Sequence, residues 1–174
     1  MRKRVFLALA IALAVTAAPA LAQQAAPPAN PLIDYAGFEK LVREVGPLRE
    51  ARRLGWAQFA AKAHGKGAIL LDARSAADFA RGHIDGAINL PFNEFTDARL
   101  AEVLGPDHAR PIYIYCNNNF SDNVAPIVTK RVQLALNIPT FINLVGYGYG
   151  NVWELADVVS IKDPRIGWVS GGIS

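Results

Sequence analysis

Short, continuously apolar segments recur along the chain and constrain its fold more than any other feature. The run "AILLD" at 68–72 has no polar residue before its last position, as expected for a strand buried on both faces. Similar runs stand at 87–90, 111–115 and 140–145, and helical patterns lie between them at about 75–81, 97–104 and 124–136. This alternation predicts an α/β fold with a doubly wound, mainly parallel sheet flanked by helices.

Two helices are predicted before the first of these strands. Residues 35–53 form a helical extension with a periodic apolar face, and the dipeptide Gly46-Pro47 is expected to break it. Residues 56–63 form a short second helix.

The first residues have the pattern of a secretory signal peptide. A basic head at 2–4 precedes an apolar run at 5–15 that is too short to span a bilayer as a helix. Ala20-Leu21-Ala22 is a small-x-small cleavage site. We therefore expect cleavage after Ala22, export to the periplasm or medium, and a Pro/Ala-rich linker at 23–34.

Charge argues against a nucleic-acid partner. The chain has 18 Lys and Arg against 15 Asp and Glu, and removal of Arg2, Lys3 and Arg4 with the signal leaves 15 against 15. A mature chain of about zero net charge lacks the basic surface typical of nucleic-acid binding. With the signal removed, no membrane association is expected either.

The only cysteine, Cys116, directly follows the apolar run at 111–115. It cannot form an internal disulfide, so it is either a small buried residue or a functional thiol. Ligands of parallel α/β sheets bind beyond the carboxyl ends of the strands. Cys116, Asp72 and Gly146 each stand at the end of a predicted strand, which favours a functional thiol.

A longer motif follows Asp72. The stretch "LLDARSAADFARGHIDGAINLP" at 70–91 resembles the signature of the rhodanese domain, and the matching residues are Asp72, Arg74, Asp78, Phe79, Gly82, His83, Ile84, Gly86, Ala87, Asn89 and Pro91. The resemblance covers about 54–158 and leaves the 35–53 helix and a tail at 159–174 outside. It implies that Cys116 is the catalytic cysteine.

In rhodaneses the backbone after the cysteine curls so that its N–H groups point inward, and a helix starts directly behind it. The resemblance therefore implies a substrate-binding loop of Asn117, Asn118, Asn119, Phe120 and Ser121, followed by a helix capped near Asn123. Such a cradle should leave Cys116 solvent-reachable and more acidic than a free thiol.

Other residues are assigned to the surroundings of the site. Arg74 and Asp78, four positions apart, are expected to form an ion pair, and Asp72 and His83 to give further structural support. In "VGYGYG", Tyr147 and Tyr149 either wall the site or pack an unusual turn. No metal-ligand spacing is present in the sequence, and neither a metal nor an organic cofactor is expected.

Two features of the loop bear on substrate choice. Dual-specificity phosphatases of the same fold carry an Arg where this chain has Asp122, which argues against phosphate binding. The nearest downstream cations, Lys130 and Arg131, would lie roughly 12 Å along the predicted helix, beyond a Debye length of about 8 Å. We therefore expect weak use of thiosulfate.

The sequence predicts a sulfurtransferase that moves sulfane sulfur through a Cys116 persulfide. Its partners would be a small sulfur donor and a thiol or other thiophilic acceptor, with a periplasmic partner protein as a further option. Two alternatives stay open: a non-catalytic rhodanese-like binding module, and a redox thiol that a partner protein resolves.

Overall fold

The computed structural model describes residues 30–170, so the predicted signal peptide and most of the linker lie outside the described residues. The chain divides into two units at Asp34, and the regular elements of the described residues all lie in the second unit. Its helices are α1 Tyr35–Ala51, α2 Trp56–Ala63, α3 Ala76–Arg81, α4 Asp97–Leu104 and α5 Asn137–Gly146. Its strands are β1 Arg53–Leu54, β2 Ile69–Asp72, β3 His83–Ile84, β4 Ile88–Asn89, β5 Ile112–Tyr115, β6 Val152–Leu155 and β7 Trp168–Val169.

Five strands form one parallel sheet in the order β1-β6-β5-β2-β4. Every position of β2 and β5 is buried, as their continuous apolar sequences predict. Leu71 pairs with Ile114 in register, and Ile114 pairs with Glu154. The predicted α/β fold with a mainly parallel sheet is confirmed.

Helices cover both faces of this sheet. On one face Ile112 and Ile114 of β5 pack in a core that also takes residues from α1, α4 and α5. On the other face Tyr113 and Tyr115 pack with Phe59 of α2 in a second core. Consecutive residues of β5 thus serve opposite cores, because side chains alternate along a strand.

The part of the tail that the structure describes also packs on this unit. β7 pairs antiparallel with β3, with Ile84 opposite Trp168. Ile166 is buried in the core on the α2 side. Within residues 30–170, no helix combines the length and the apolar character needed to cross a bilayer.

Two element predictions are wrong around the end of the sheet. The predicted strand at 140–145 is part of helix α5, and the predicted helix at 124–136 is an irregular segment with one 3-10 turn at Val132–Leu134. A short apolar run fits a buried helix as well as a buried strand, and α5 buries Phe141 and Leu144 completely. The strand that follows, β6, was not predicted.

The expected break at Gly46-Pro47 is also wrong, because α1 continues through Pro47. Proline inside a helix removes one backbone hydrogen bond, yet tertiary contacts on both sides of it hold this helix. Val45 is buried in the core, and Arg49 forms an ion pair with Glu154 of the sheet.

Candidate active site at Cys116

Cys116 directly follows β5, at the carboxyl end of the central strand, and only 1% of it is exposed. Cys116 lies two positions after Ile114, so its side chain points to the sheet face that carries α5. The backbone N–H groups of Asn118, Leu136 and Asn137 lie near its sulfur and act to lower the pKa of the thiol. Two of these donors belong to the start of α5, whose first helical residue is Asn137.

The expected exposure and acidity of Cys116 are both wrong for this structure. Burial raises the pKa of the thiol, and the carboxylate of Glu154 raises it further. The N–H groups of Asn137, Asn118 and Leu136 lower the pKa without reversing the rise. The donors that favour the thiolate are therefore present, but the closed surroundings keep the sulfur protonated.

The three asparagines after Cys116 act mainly through their side chains. The Asn117 amide donates to Val128 O at 2.9 Å, and Asn118 both donates to Lys130 O at 2.8 Å and accepts from Lys130 N at 3.1 Å. Asn119 accepts from the Cys116 N–H at 2.9 Å and donates to Leu155 O at 2.9 Å. Asn117 and Asn118 thus bind the chain around Val128 and Lys130, and Asn119 binds the end of β6.

The predicted cradle of successive amides is only partly formed. The N–H of Asn119 donates to Cys116 O, that of Phe120 to Asn117 O, and that of Ser121 to Val159 O. The Phe120 ring is buried on the opposite core, edge-on to Trp168. Phe120 and Ser121 are therefore not placed to bind a substrate at the sulfur, and α5 supplies the missing donors.

The segment at 123–135 separates the Cys116 loop from α5. Asn123 does not cap a helix there: it has a positive φ of 45°, and its side chain accepts from Thr129 N at 2.9 Å. Ile127 is completely buried, whereas Pro126 before it is half-buried and Val128 after it is exposed. One buried residue and the asparagine side chains thus anchor an otherwise exposed segment.

A cavity of about 260 Å³ lies next to the enclosed thiol. Its lining includes Asn117, which follows Cys116 in sequence, and Leu136, whose N–H contacts the sulfur. Lys130 and Arg74 contribute the cations of the lining and Asp78 its carboxylate.

The position of Lys130 overturns the geometric argument about thiosulfate. The distance of 12 Å assumed a helix after Cys116, but the two hydrogen bonds between Asn118 and the Lys130 backbone bring Lys130 back to the loop. Asp122 accepts from Ser160 Oγ at 3.0 Å and from Ile161 N at 3.0 Å, so it is engaged by the tail. The distance of Lys130 and the charge of Asp122 therefore no longer give reasons to expect weak use of thiosulfate.

The motif at 70–91 builds a buried polar cluster around Asp72 and Arg74. Arg74 Nη2 lies 2.5 Å from Asp72 Oδ2, and the Tyr115 hydroxyl donates to the same oxygen at 2.7 Å. Arg74 also donates to Gly82 O at 2.8 Å. Burial and the neighbouring Asp72 carboxylate hold the pKa of Tyr115 well above its usual value.

The predicted ion pair between Arg74 and Asp78 is not formed. Arg74 precedes α3, so the two residues do not lie on one helix, and Ser75 is the N-cap that accepts from Asp78 N at 3.1 Å. His83 Nδ1 lies 2.9 Å from Phe79 O, and its ring stacks on Phe79 at 3.8 Å. These contacts order the backbone of the motif.

Tyr147 and Tyr149 do not wall the thiol site. They follow the carboxyl end of α5, whose opposite end contacts the sulfur. The Tyr147 hydroxyl donates to Phe95 O at 3.1 Å, and the Tyr149 hydroxyl donates to Gly105 O at 3.3 Å. Both side chains therefore pack the far end of the domain.

Sequence reasoning missed the residues that complete the site from α5 and β6. These are Leu136, Asn137 and Glu154. Pro139 stands in the first turn of α5, where a missing N–H costs nothing, and could have indicated the start of a helix.

Comparison with known families identifies the family of the domain. The family model described as "Rhodanese-like domain" matches residues 56–156, more than half of the chain. The chain belongs to the rhodanese-like domain family. The resemblance seen in the sequence is thereby confirmed, and the match leaves α1 outside the family region.

One solved structure that resembles this rhodanese-like chain is the crystal structure of the BH2092 protein from Bacillus halodurans. It is 20% identical, covers 69% of this chain and 75% of its own, and has a TM-score of 0.41. Comparison with curated proteins found no match.

Proposed function

We propose that this protein is an exported sulfurtransferase in which Cys116 carries sulfane sulfur as a persulfide. The observation that carries the proposal is the position of Cys116 at the carboxyl end of the central strand, where backbone N–H groups of Asn118 and of the start of α5 lie near its sulfur and act to lower its pKa. Donors arranged in this way favour an anionic sulfur over a neutral one. A thiol with a purely structural role has no need of them.

The reaction has two balanced steps. The Cys116 thiolate attacks the outer sulfur of a donor R–S–SH, the S–S bond of the donor breaks, and R–S⁻ leaves. Cys116 then holds the outer sulfur as Cys116–S–SH. A nucleophilic acceptor, such as a second thiolate, takes that sulfur and releases the Cys116 thiolate.

Access to the sulfur requires a movement, because the thiol is enclosed. The 123–135 segment joins the Cys116 loop to α5 and is fastened by the side chains of Asn117 and Asn118. We assign the opening of this segment as the motion that exposes the thiol, lets solvent reach it and lowers its pKa towards that of an exposed thiol.

The burial of Cys116 favours a second candidate function. A non-catalytic rhodanese-like module that binds a periplasmic partner protein would tolerate a protonated, enclosed thiol. The two functions differ in whether the protein can hold a sulfur atom.

Mass spectrometry of the intact mature protein separates them. After exposure to a persulfide, polysulfide or thiosulfate donor, we expect a gain of one sulfur that a reductant removes, and no gain in Cys116→Ala. A wild-type thiol that stays unmodified while the protein is folded, and gains sulfur only after denaturation, would favour the binding module. The same spectrum tests the export proposal, which expects a mature chain that begins at Gln23.

Lys130 provides a test of the cavity beside the thiol. We expect Lys130→Ala to raise the KM for thiosulfate about fivefold, because the loss of one charge contact of about 1 kcal/mol weakens binding of a dianion. Arg131→Ala is the matched control, since Arg131 is its exposed neighbour and does not line the cavity. Equal effects of the two variants in steady-state kinetics would show that the cavity is not the donor site.

A further inference from the structure

Arg49 of α1, which lies outside the matched family region, forms an ion pair with Glu154 of β6, the strand that pairs with the strand before Cys116. Arg49 Nε donates to Glu154 Oε2 at 2.6 Å, and Arg49 Nη2 donates to Glu154 Oε1 at 2.5 Å. This is a two-pronged ion pair in which the carboxylate is almost completely buried, with 4% of Glu154 exposed.

Glu154 and Cys116 share one face of the sheet. Glu154 pairs in register with Ile114 of β5, and Cys116 stands two positions further along that strand. Val152, two positions before Glu154, lies in the same core as Ile114, so the side chains of Val152, Glu154, Ile114 and Cys116 all point to the α5 side. A buried carboxylate therefore lies on the neighbouring strand, one side-chain position before the thiol on the same face of the sheet.

An unpaired carboxylate in that position would oppose ionisation of the thiol, because two negative charges would then share a poorly solvated space. We propose that Arg49 is a positioning residue for Cys116, which neutralises Glu154 and so reduces the energetic cost of ionising the Cys116 thiol. The catalytic importance of this ion pair rests on the proposed function. The proposal gives α1, which lies outside the matched family region, a role in setting the reactivity of Cys116.

The other charged groups near the site have different partners. Asp72, the last residue of β2, pairs with Arg74, and Lys130 lines the cavity together with Asn117. Arg49 also lies 3.2 Å from Glu50, whose side chain is 61% exposed and well screened by solvent. Glu154 is the carboxylate that raises the pKa of Cys116, and Arg49 is the cation on it.

A double-mutant cycle tests the proposal. The pKa of the thiol would be measured by carbon NMR of the selectively labelled cysteine, which gives one resonance because the chain has one Cys. We expect Arg49→Met to raise the pKa by about one unit, and thus to lower the thiolate fraction about tenfold below that pKa. Glu154→Gln should not raise the pKa, and the double variant should behave like Glu154→Gln.

The cycle distinguishes charge from structure, because the single Arg49→Met variant and the double variant both lose the link between α1 and β6. A pKa in the double variant as high as in Arg49→Met would overturn the proposal, as would a wild-type pKa in Arg49→Met. Arg43→Met is the control on α1. Arg43 Nη1 lies 2.7 Å from Glu39 Oε1 and both side chains are exposed, so no shift in the pKa of Cys116 is expected. If Arg49→Met does not fold, Arg49→Lys should keep the wild-type pKa, and a rise there would count against the proposal.

The titration needs no sulfur transfer, so the two ideas fail separately. A protein that forms no persulfide but shows the expected cycle would contradict the proposed function alone. A protein that forms the persulfide with unchanged pKa values across the cycle would contradict the role of Arg49 alone.

Discussion

Replacing Arg74 with Met should lower the free energy of unfolding by about 3–5 kcal/mol, because the buried carboxylate of Asp72 then loses its cation. Asp72 is completely buried, and Arg74 lies 2.5 Å from it and is 3% exposed. Urea denaturation would measure the change as a lower midpoint at constant slope.

Two further variants decide whether the ion pair is the cause. In Asp72→Asn/Arg74→Met no buried charge is left alone, so the double variant should lose less than the sum of the single changes. Arg165→Met removes an ion pair at 2.6 Å whose arginine is 81% exposed and should change stability little. Additive losses in the double variant would contradict the assignment of a buried pair.

Replacing Asn118 with Ala should raise the rate at which Cys116 is alkylated in the native state by about ten- to hundredfold. The substitution removes both hydrogen bonds to the Lys130 backbone, and two bonds of about 0.5–1.5 kcal/mol each hold the 123–135 segment closed. The open, reactive population should grow by the corresponding factor.

The control for this variant is Arg131→Ala, an exposed residue of the same segment. It should alkylate at the wild-type rate, and global stability measured in parallel would exclude unfolding of the whole domain as the route. An unchanged rate in Asn118→Ala would show that the thiol becomes accessible by another motion. If sulfur loading is limited by access, the same variant should also form the persulfide faster.

Local patterns in the sequence were enough for the two central strands, β2 and β5, and for the family. The strands at 69–72 and 112–115 carry unbroken apolar runs because both of their faces are covered, and helices α3 and α4 begin after Ser75 and Thr96 caps. The motif at 70–91 led to the correct family because it is contiguous, and part of it forms the buried cluster around Asp72 and Arg74.

Local patterns failed where long-range contacts decide the structure. The run "TFINLV" is α5 rather than a strand because Phe141 and Leu144 fill the core between α1 and the sheet. The predicted helix at 124–136 does not form, since the side chains of Asn117 and Asn118 bind the backbone of this segment at Val128 and Lys130. Neither outcome is visible within a window of neighbouring residues.

The sequence alone determined the α/β fold class, the family and the position of the lone thiol at the end of the central strand, because each follows from short-range periodicity or a contiguous motif. Only the tertiary structure decided the state of that thiol. The residues that surround the thiol are distant from it in the sequence: Leu136 at the start of α5 lies 20 positions after Cys116, and Glu154 lies 38 positions after it. The acidity of a buried group depends on every charge and dipole that packs around it, and those are brought together by the fold.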